Sequence, residues 1–203
     1  MATVDIRPFE DGDETGIAGL ATRVQWPSLT DASVVRAVDR GAISHDAHGV
    51  IRATAAGHRF LDDLYATQAA ALATYWAGLD SVVCRLTPLT GRLVARASED
   101  PVLRVGTLTA VTPNFEPGGT PVCLLLLNRL SALRYHRSDA HAAAWRSMGL
   151  TADEMVAIQT AGGPERNTIE ARTNEIAAPA FQILDLTERL EFLADLRSMS
   201  VLA

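Results

Sequence analysis

Residues 31–61 have the sequence DASVVRAVDRGAISHDAHGVIRATAAGHRFL, and this stretch decides the fold that we predict. Valines at helical spacing predict a helix from Asp31 to Arg40, and the glycine that follows is typical of a helix end. Residues 42–44 and 50–54 have the pattern of two short strands joined by a turn. Residues 54–57 then open a long predicted helix, which has apolar positions from Phe60 to Trp76. The stretch therefore predicts a helix, a β-hairpin and a second, longer helix.

The residues before this stretch add another helix in front of it. Apolar residues recur at helical spacing from Thr15, and Trp26 and Pro27 end that helix because a residue before proline disfavours the α conformation. Two short helices joined by a tight turn form a helix-turn-helix, and the hairpin behind them is then a wing. Residues 3–8 alternate enough to predict a short strand. We therefore predict a winged-helix domain over residues 1–79.

The second part of the chain, residues 80–203, is predicted to be an additional helical domain. We expect a helix break at residues 80–83 and a loop over residues 113–121, which are rich in proline and glycine. Residues 102–111 are compatible with either a strand or a helix. The predicted helices are 91–98, 122–148, one that begins near 151, 165–184 with a kink at Pro179, and 186–199. The fold class is therefore mainly α, with the hairpin wing as its small β element.

Composition limits the class of protein. The chain has 203 residues, 48% of them hydrophobic, and a formal net charge of -6, and all 18 basic residues are arginine. Cys84 and Cys123 lie far apart, so we expect no disulfide framework and a reducing compartment. The longest apolar run, residues 122–127, is far shorter than the roughly 20 residues that span a bilayer, and residues 1–13 lack the apolar core of a signal peptide. We expect a cytoplasmic protein with no membrane partner.

The order helix, turn, helix, hairpin and long helix, with Thr-Ala-Ala-Gly-His-Arg-Phe-Leu at residues 54–61, resembles the winged-helix core of MarR-type regulators. In that family the second wing strand runs into a helix start of similar sequence. The predicted last helix is similar to the C-terminal MarR helix, which helps to build the dimer; its apolar residues are Leu190, Phe192, Leu193 and Leu196. The resemblance implies a homodimer with a C-terminal dimerisation helix, and a ligand-responsive transcription regulator that binds DNA.

The charge of the predicted winged-helix domain disfavours DNA as its partner. Residues 1–79 contain six Arg against ten Asp or Glu, although phosphate neutralisation normally supplies much of the affinity for DNA. The DNA contacts of a regulator would come from Arg36 and Arg40 on the predicted second helix and from Arg52 in the wing. A winged helix that serves only as a packing or dimerisation scaffold is the alternative, because a fold does not fix a function.

A second stretch, LRYHRSDAHAAAW at residues 133–145, concentrates titratable side chains on the predicted helix 122–148. At about 100° per residue, His136 and Asp139 share one helix face with Arg129. An aspartate beside an imidazole can fix its tautomer and raise its pKa, so we predict His136 and Asp139 as a catalytic acid–base pair. The adjacent face carries the predicted ligand-binding residues, which are Arg134, Arg137, His141 and Trp145.

Two other interpretations of this polar stretch remain open. Arginine, histidine and aspartate on a long helix commonly form ion pairs and hydrogen bonds with neighbouring helices, which needs no ligand. Metal binding is disfavoured, because His136 and His141 point about 140° apart on one helix and cannot both chelate one ion. Within the anion-binding interpretation, Arg137 would clamp a carboxylate or phosphate through two parallel hydrogen bonds. We expect no metal and no cofactor.

The His-Arg-x-Asp-x-His segment at residues 136–141, with Gly149 and Leu150 soon after, is similar to a segment of SalK-like actinobacterial proteins, which are found among biosynthetic genes. This resemblance implies small-molecule work in specialised metabolism without naming a reaction. The sequence therefore favours a protein that binds a small molecule. Within that class it favours an enzyme of non-redox acid–base chemistry over a protein that only binds its ligand. The alternatives are the MarR-like regulator and a non-catalytic partner subunit.

Overall fold

A computed structural model describes residues 31–45, 51–101, 106–112, 114 and 116–200. The predicted strand at residues 3–8, the predicted helix from Thr15 and the wing tip therefore lie outside the described residues. Within the described residues the elements are α1 (Asp31–Asp39), β1 (Ile43–His45), β2 (Ile51–Ala53), α2 (Ala55–Tyr75), α3 (Asp80–Ser98), α4 (Thr107–Val111), α5 (Val122–Ser147), α6 (Ala152–Ala161), α7 (Pro164–Phe181) and α8 (Leu186–Ser200). The mainly α fold class is confirmed. The winged helix stays a prediction.

The two short strands pair antiparallel and connect directly to the start of α2. Ile43 lies opposite Ala53 in this pair. Thr54 then caps α2, because its hydroxyl accepts a hydrogen bond from Gly57 N at 3.1 Å, while its own N–H donates to Ala42 O at 3.1 Å. A Cβ at Gly57 would lie 2.0 Å from that same Ala42 oxygen. Glycine is therefore required where α2 meets the residue that precedes β1.

Helix α3 corrects one prediction. Residues 80–83, which we expected to break the helix, are its first turn, and α3 continues through Pro88. Proline removes one backbone hydrogen bond, the one that the Cys84 carbonyl would accept. Cys84 is exposed, so solvent can hydrate that carbonyl, while Leu86 and Leu93 on the opposite side are fully buried. Burial of this apolar face outweighs the local cost of the proline.

Helix α5 is central to the helical part of the protein. It packs most extensively against α3 on one side and α7 on the other, and the short α4 also lies on it. Leu126 and Leu133 of α5 belong to the main core, together with Phe192 of α8. Towards α7 the contact is made by small side chains, such as Ala140 and Ala177, which allow the two helices to approach closely. The polar stretch 133–145 therefore lies between two different neighbours.

None of the described helices combines the length and the hydropathy that a bilayer-spanning helix needs.

Candidate functional site

The two faces of α5 that the sequence predicts point to two different parts of the protein. Arg137 and His141 contact α7, whereas Asp139 contacts the start of α4. His136 lies on the Asp139 side, where it also experiences the charge of Asp100, just beyond the C-terminal end of α3. The structure therefore separates the predicted ligand-binding residues from the predicted catalytic pair.

Arg137 is engaged by side chains of α7. Its Nη2 donates to Glu170 Oε2 at 2.6 Å and its Nη1 donates to Asn174 Oδ1 at 2.9 Å. Both partners of the salt bridge are partly exposed, with 51% and 36% of their side chains accessible. A ligand anion would have to displace Glu170 to be clamped by this guanidinium. The contacts fit the interhelical ion pair that the sequence left open as an alternative.

His141 is held by the same helix. Its Nδ1 lies 3.0 Å from Thr173 Oγ1, and the Thr173 hydroxyl donates to Ile169 O at 2.8 Å. Because that hydroxyl hydrogen is already used, Thr173 accepts from His141, which places the imidazole proton on Nδ1. The arrangement braces α5 against α7 at the turn that follows Arg137.

The other two predicted ligand residues lie apart from one another. Arg134 is exposed on α5. Trp145 is partly buried and packs against the small core cluster that contains Met155 and Ile169. The Arg146 guanidinium carbon lies 4.9 Å from the centroid of the Trp145 ring, a cation–π distance. Trp145 is thus a packing residue of the α5–α7 contact.

Asp139 does not orient His136 through a hydrogen bond, so this expectation was wrong. Its Oδ1 accepts from Thr107 N at 2.8 Å and its Oδ2 accepts from Leu108 N at 2.7 Å. A Cβ at Gly106 would lie 2.3 Å from the Asp139 carboxylate. The carboxylate therefore caps α4 from outside that helix, and Gly106 leaves the space that it needs. The Asp139 oxygens thus accept hydrogen bonds from two backbone N–H groups of α4 and not from the His136 imidazole.

His136 is the unusual residue of the site. It is 1% exposed, and among the described residues neither ring nitrogen has a hydrogen-bond partner. Burial lowers the pKa of His136 below its ordinary value of 6.5, and the charges of Asp100 and Asp139 only partly oppose that effect. The expected rise of the pKa is corrected, because loss of hydration outweighs the nearby carboxylates. At neutral pH the side chain is an uncharged imidazole with one donor and one acceptor.

Arg129 and Glu116 form a second polar group that the sequence did not predict as a site. Arg129 Nε donates to Glu116 Oε1 at 2.8 Å and Nη2 donates to Oε2 at 2.6 Å. Its Nη1 donates to Thr87 O at 2.8 Å. The pair lines a surface cleft of about 490 Å³. Arg129 lies seven residues before His136 on the same helix face, but the loop residue Glu116 could not be matched to it from spacing alone.

The arginines of the predicted DNA-binding surface are only partly described. Arg36 and Arg40 are both exposed, near the end of α1 and directly after it. Arg52 pairs with Ser44 across the hairpin, and its side chain is not among those described. Among the described residues no group of three His, Cys, Asp or Glu could hold a metal ion.

No protein-family model, curated protein or solved structure matches this chain.

Proposed function

We propose that the chain is a small-molecule-binding protein of bacterial specialised metabolism that carries out non-redox acid–base chemistry at His136. The observation that supports this proposal is the burial of His136 with both ring nitrogens unpaired among the described residues. Buried polar groups in folded proteins are nearly always hydrogen-bonded, so a buried His136 imidazole without a hydrogen bond calls for an explanation. A ligand that offers one acceptor and one donor would supply the missing partners.

The chemistry of such a site follows from the lowered pKa of His136. The imidazole is unprotonated at neutral pH, so it is ready to accept a proton from a bound substrate. The nearby charges of Asp100 and Asp139 would stabilise the imidazolium that forms, whereas burial favours loss of the proton and return to the neutral imidazole. Asp139 acts in this proposal as a positioning residue, because it holds α4 beside the same face of α5. Arg137 and His141 brace α7 and are not assigned to the reaction.

The test begins with the wild-type protein, because the substrate is not identified. A thermal-shift screen against organic acids, amines and phenols selects compounds that raise the melting temperature, and NMR then follows their turnover. We expect His136→Gln to abolish both binding and turnover of the selected compounds. His141→Gln is the matched control, since it removes an imidazole from the α7-facing side of α5, and it should retain both. Unchanged binding and turnover in folded His136→Gln protein would refute the proposal.

A second candidate function is ligand-responsive transcription regulation. It is favoured by the order of α1, the hairpin and α2, with Gly57 packed on Ala42, and by the exposure of Arg36 and Arg40. A gel-shift experiment with the upstream DNA of its own gene tests this candidate. We expect binding that weakens steeply with salt and is lost in Arg36→Ala. Equal binding by Arg36→Ala and wild type would reject these contacts.

We also propose that the protein is a cytoplasmic homodimer built through α8. Three leucines are exposed on one stripe of this helix at a spacing of four and three residues: Leu186, Leu190 and Leu193 are 67%, 60% and 62% exposed. Phe192 on the opposite side is buried in the core. Exposed apolar stripes of this kind mark interaction surfaces. If another protein co-purifies and covers α8 instead, the chain is a partner subunit.

A further inference from the structure

A cleft lies beside Arg129, between α3, α5 and the loop that connects α4 to α5. Its lining includes Val94 and Ala95 of α3 and the polar side chains of Thr112 and Asn114. The volume of about 490 Å³ falls within the range of small-molecule sites. Arg129 and Glu116 form the charged end of this cleft. The cleft therefore combines an apolar wall with one strong anion-binding group.

The Arg129 guanidinium is held on its helix side independently of Glu116. Its Nη1 donates to the Thr87 carbonyl, and a Cβ at Gly91 would lie 2.9 Å from that nitrogen. Gly91 thus allows the guanidinium to lie against α3, and the Arg129 side chain is 20% exposed. The hydrogen bond to Thr87 orients the guanidinium separately from Glu116, so little side-chain entropy is lost when a ligand carboxylate replaces Glu116.

Glu116 comes from a different part of the protein. It precedes Pro117, Gly118 and Gly119 in the connecting loop, and these three residues are exposed. Its two oxygens accept from Nε and Nη2 of Arg129, which is the bidentate geometry of a bound carboxylate. The loop carboxylate therefore occupies the position that a ligand carboxylate would take.

We propose that this cleft binds small monocarboxylates with an apolar body, and that Glu116 is an internal competitor that the ligand carboxylate displaces from Arg129. The ligand's apolar part lies along Val94 and Ala95, while its carboxylate forms the two hydrogen bonds that Glu116 gives up. The exchange of one carboxylate for another keeps Arg129 neutralised, so no buried charge is left unpaired. The inference does not rest on the function proposed for His136, two turns further along α5.

Sodium hexanoate and hexanol are the probes, because they share an apolar chain and differ in the carboxylate. NMR titration of the full chain should show binding of hexanoate and much weaker binding of hexanol. Glu116→Gln should bind hexanoate about three- to tenfold more tightly, because Arg129 is then free to bind a carboxylate in a larger fraction of the molecules. Arg129→Gln should lose the preference for hexanoate over hexanol. Glu175→Gln, which removes the partner of Arg172 on α7, is the charge-matched control and should bind as wild type does.

Each arm has an outcome that would overturn the proposal. Equal affinity of the wild type for hexanoate and hexanol would remove the role of the carboxylate, and this arm needs no variant to fold. Hexanoate binding by Glu116→Gln that is no tighter than wild type, confirmed with Glu116→Ala, would show that Glu116 is not a competitor. His136→Gln should bind hexanoate normally. Loss of hexanoate binding in that variant would place the carboxylate elsewhere than at Arg129.

Discussion

Replacement of Asp139 tests the structure most directly, because the sequence and the geometry assign it different tasks. Its carboxylate accepts two hydrogen bonds from backbone N–H groups of α4, at 2.8 and 2.7 Å. A hydrogen bond to a charged group contributes about 1.5–3 kcal/mol, and loss of a capping side chain costs about 0.5–2 kcal/mol. We therefore expect Asp139→Ala to lower the free energy of unfolding by about 2–3 kcal/mol. Asp139→Asn keeps one acceptor and should cost about half as much.

Urea denaturation followed by circular dichroism measures this loss. With a slope of about 2 kcal/mol per molar urea, the Asp139→Ala midpoint should fall by about 1 M. Asp62→Ala is the matched control, since it removes an exposed carboxylate from α2, and its stability should change by no more than about 0.5 kcal/mol. A loss below about 0.5 kcal/mol in Asp139→Ala would refute the capping role.

A double-mutant cycle with Gly106 separates capping from any effect of Asp139 on His136. A Cβ at position 106 would lie 2.3 Å from the carboxylate, so Gly106→Ala must push Asp139 off the α4 backbone. In Asp139→Ala protein the same substitution meets no carboxylate and should cost little. We expect a coupling energy of at least about 1 kcal/mol. Additive losses, within about 0.5 kcal/mol, would contradict the geometry at this contact.

Three further predictions concern other parts of the chain. Because burial lowers the pKa of His136, this side chain binds a proton near pH 6.5 in the unfolded chain but only at lower pH in the folded protein. The free energy of unfolding should therefore fall as the pH drops below 6.5. Urea titrations at pH 7.5 and 5.5 should show a smaller fall for His136→Gln than for the wild type. Gly57→Ala would normally stabilise a helix through its higher helix propensity. Here it should lower the free energy of unfolding by about 1–3 kcal/mol, because the added Cβ would collide with the Ala42 carbonyl. A stabilised variant in the same urea assay would contradict this contact. In sedimentation equilibrium, Leu190→Glu should convert the proposed dimer to a monomer. Val156→Glu is the control, since Val156 is similarly exposed but lies on α6, and it should not change the mass. A monomeric wild type would contradict the dimer hypothesis.

Local signals predicted the helix ends well where no distant contact competed with them. The end of α5 beside Gly149 follows from the glycine, and the capping box of Thr151 and Glu154 at the start of α6 follows from side chains that lie three residues apart. Pro88 shows the opposite case. Its local effect predicts an interrupted helix, but the buried leucines on both sides keep α3 continuous. Tertiary burial decided there, and no window of neighbouring residues contains that information.

For the candidate site, the sequence predicted how the side chains are arranged on one helix but not which residues they contact. Periodicity correctly separates the Asp139 face of α5 from the Arg137 face, since both follow from about 100° per residue. It cannot identify the partner across each face, because Thr107 lies 32 residues before Asp139 and Glu170 lies 33 residues after Arg137. The assignment of Asp139 to His136 failed for this reason.

The contacts of α5 narrow the functional question to two side chains. Arg137, His141 and Asp139 each have partners that explain them as structural residues, so none of them needs a ligand to account for its position. His136 has no such partner among the described residues, and Arg129 has a partner that comes from a loop. Seven residues along a helix correspond to about 10 Å, so the two groups lie on one face and within the length of a single small molecule. His136 is buried, however, whereas the cleft beside Arg129 is lined by residues of α3 and of the loop that carries Glu116. The two groups therefore act as separate sites, and normal hexanoate binding by His136→Gln is the result that this arrangement predicts.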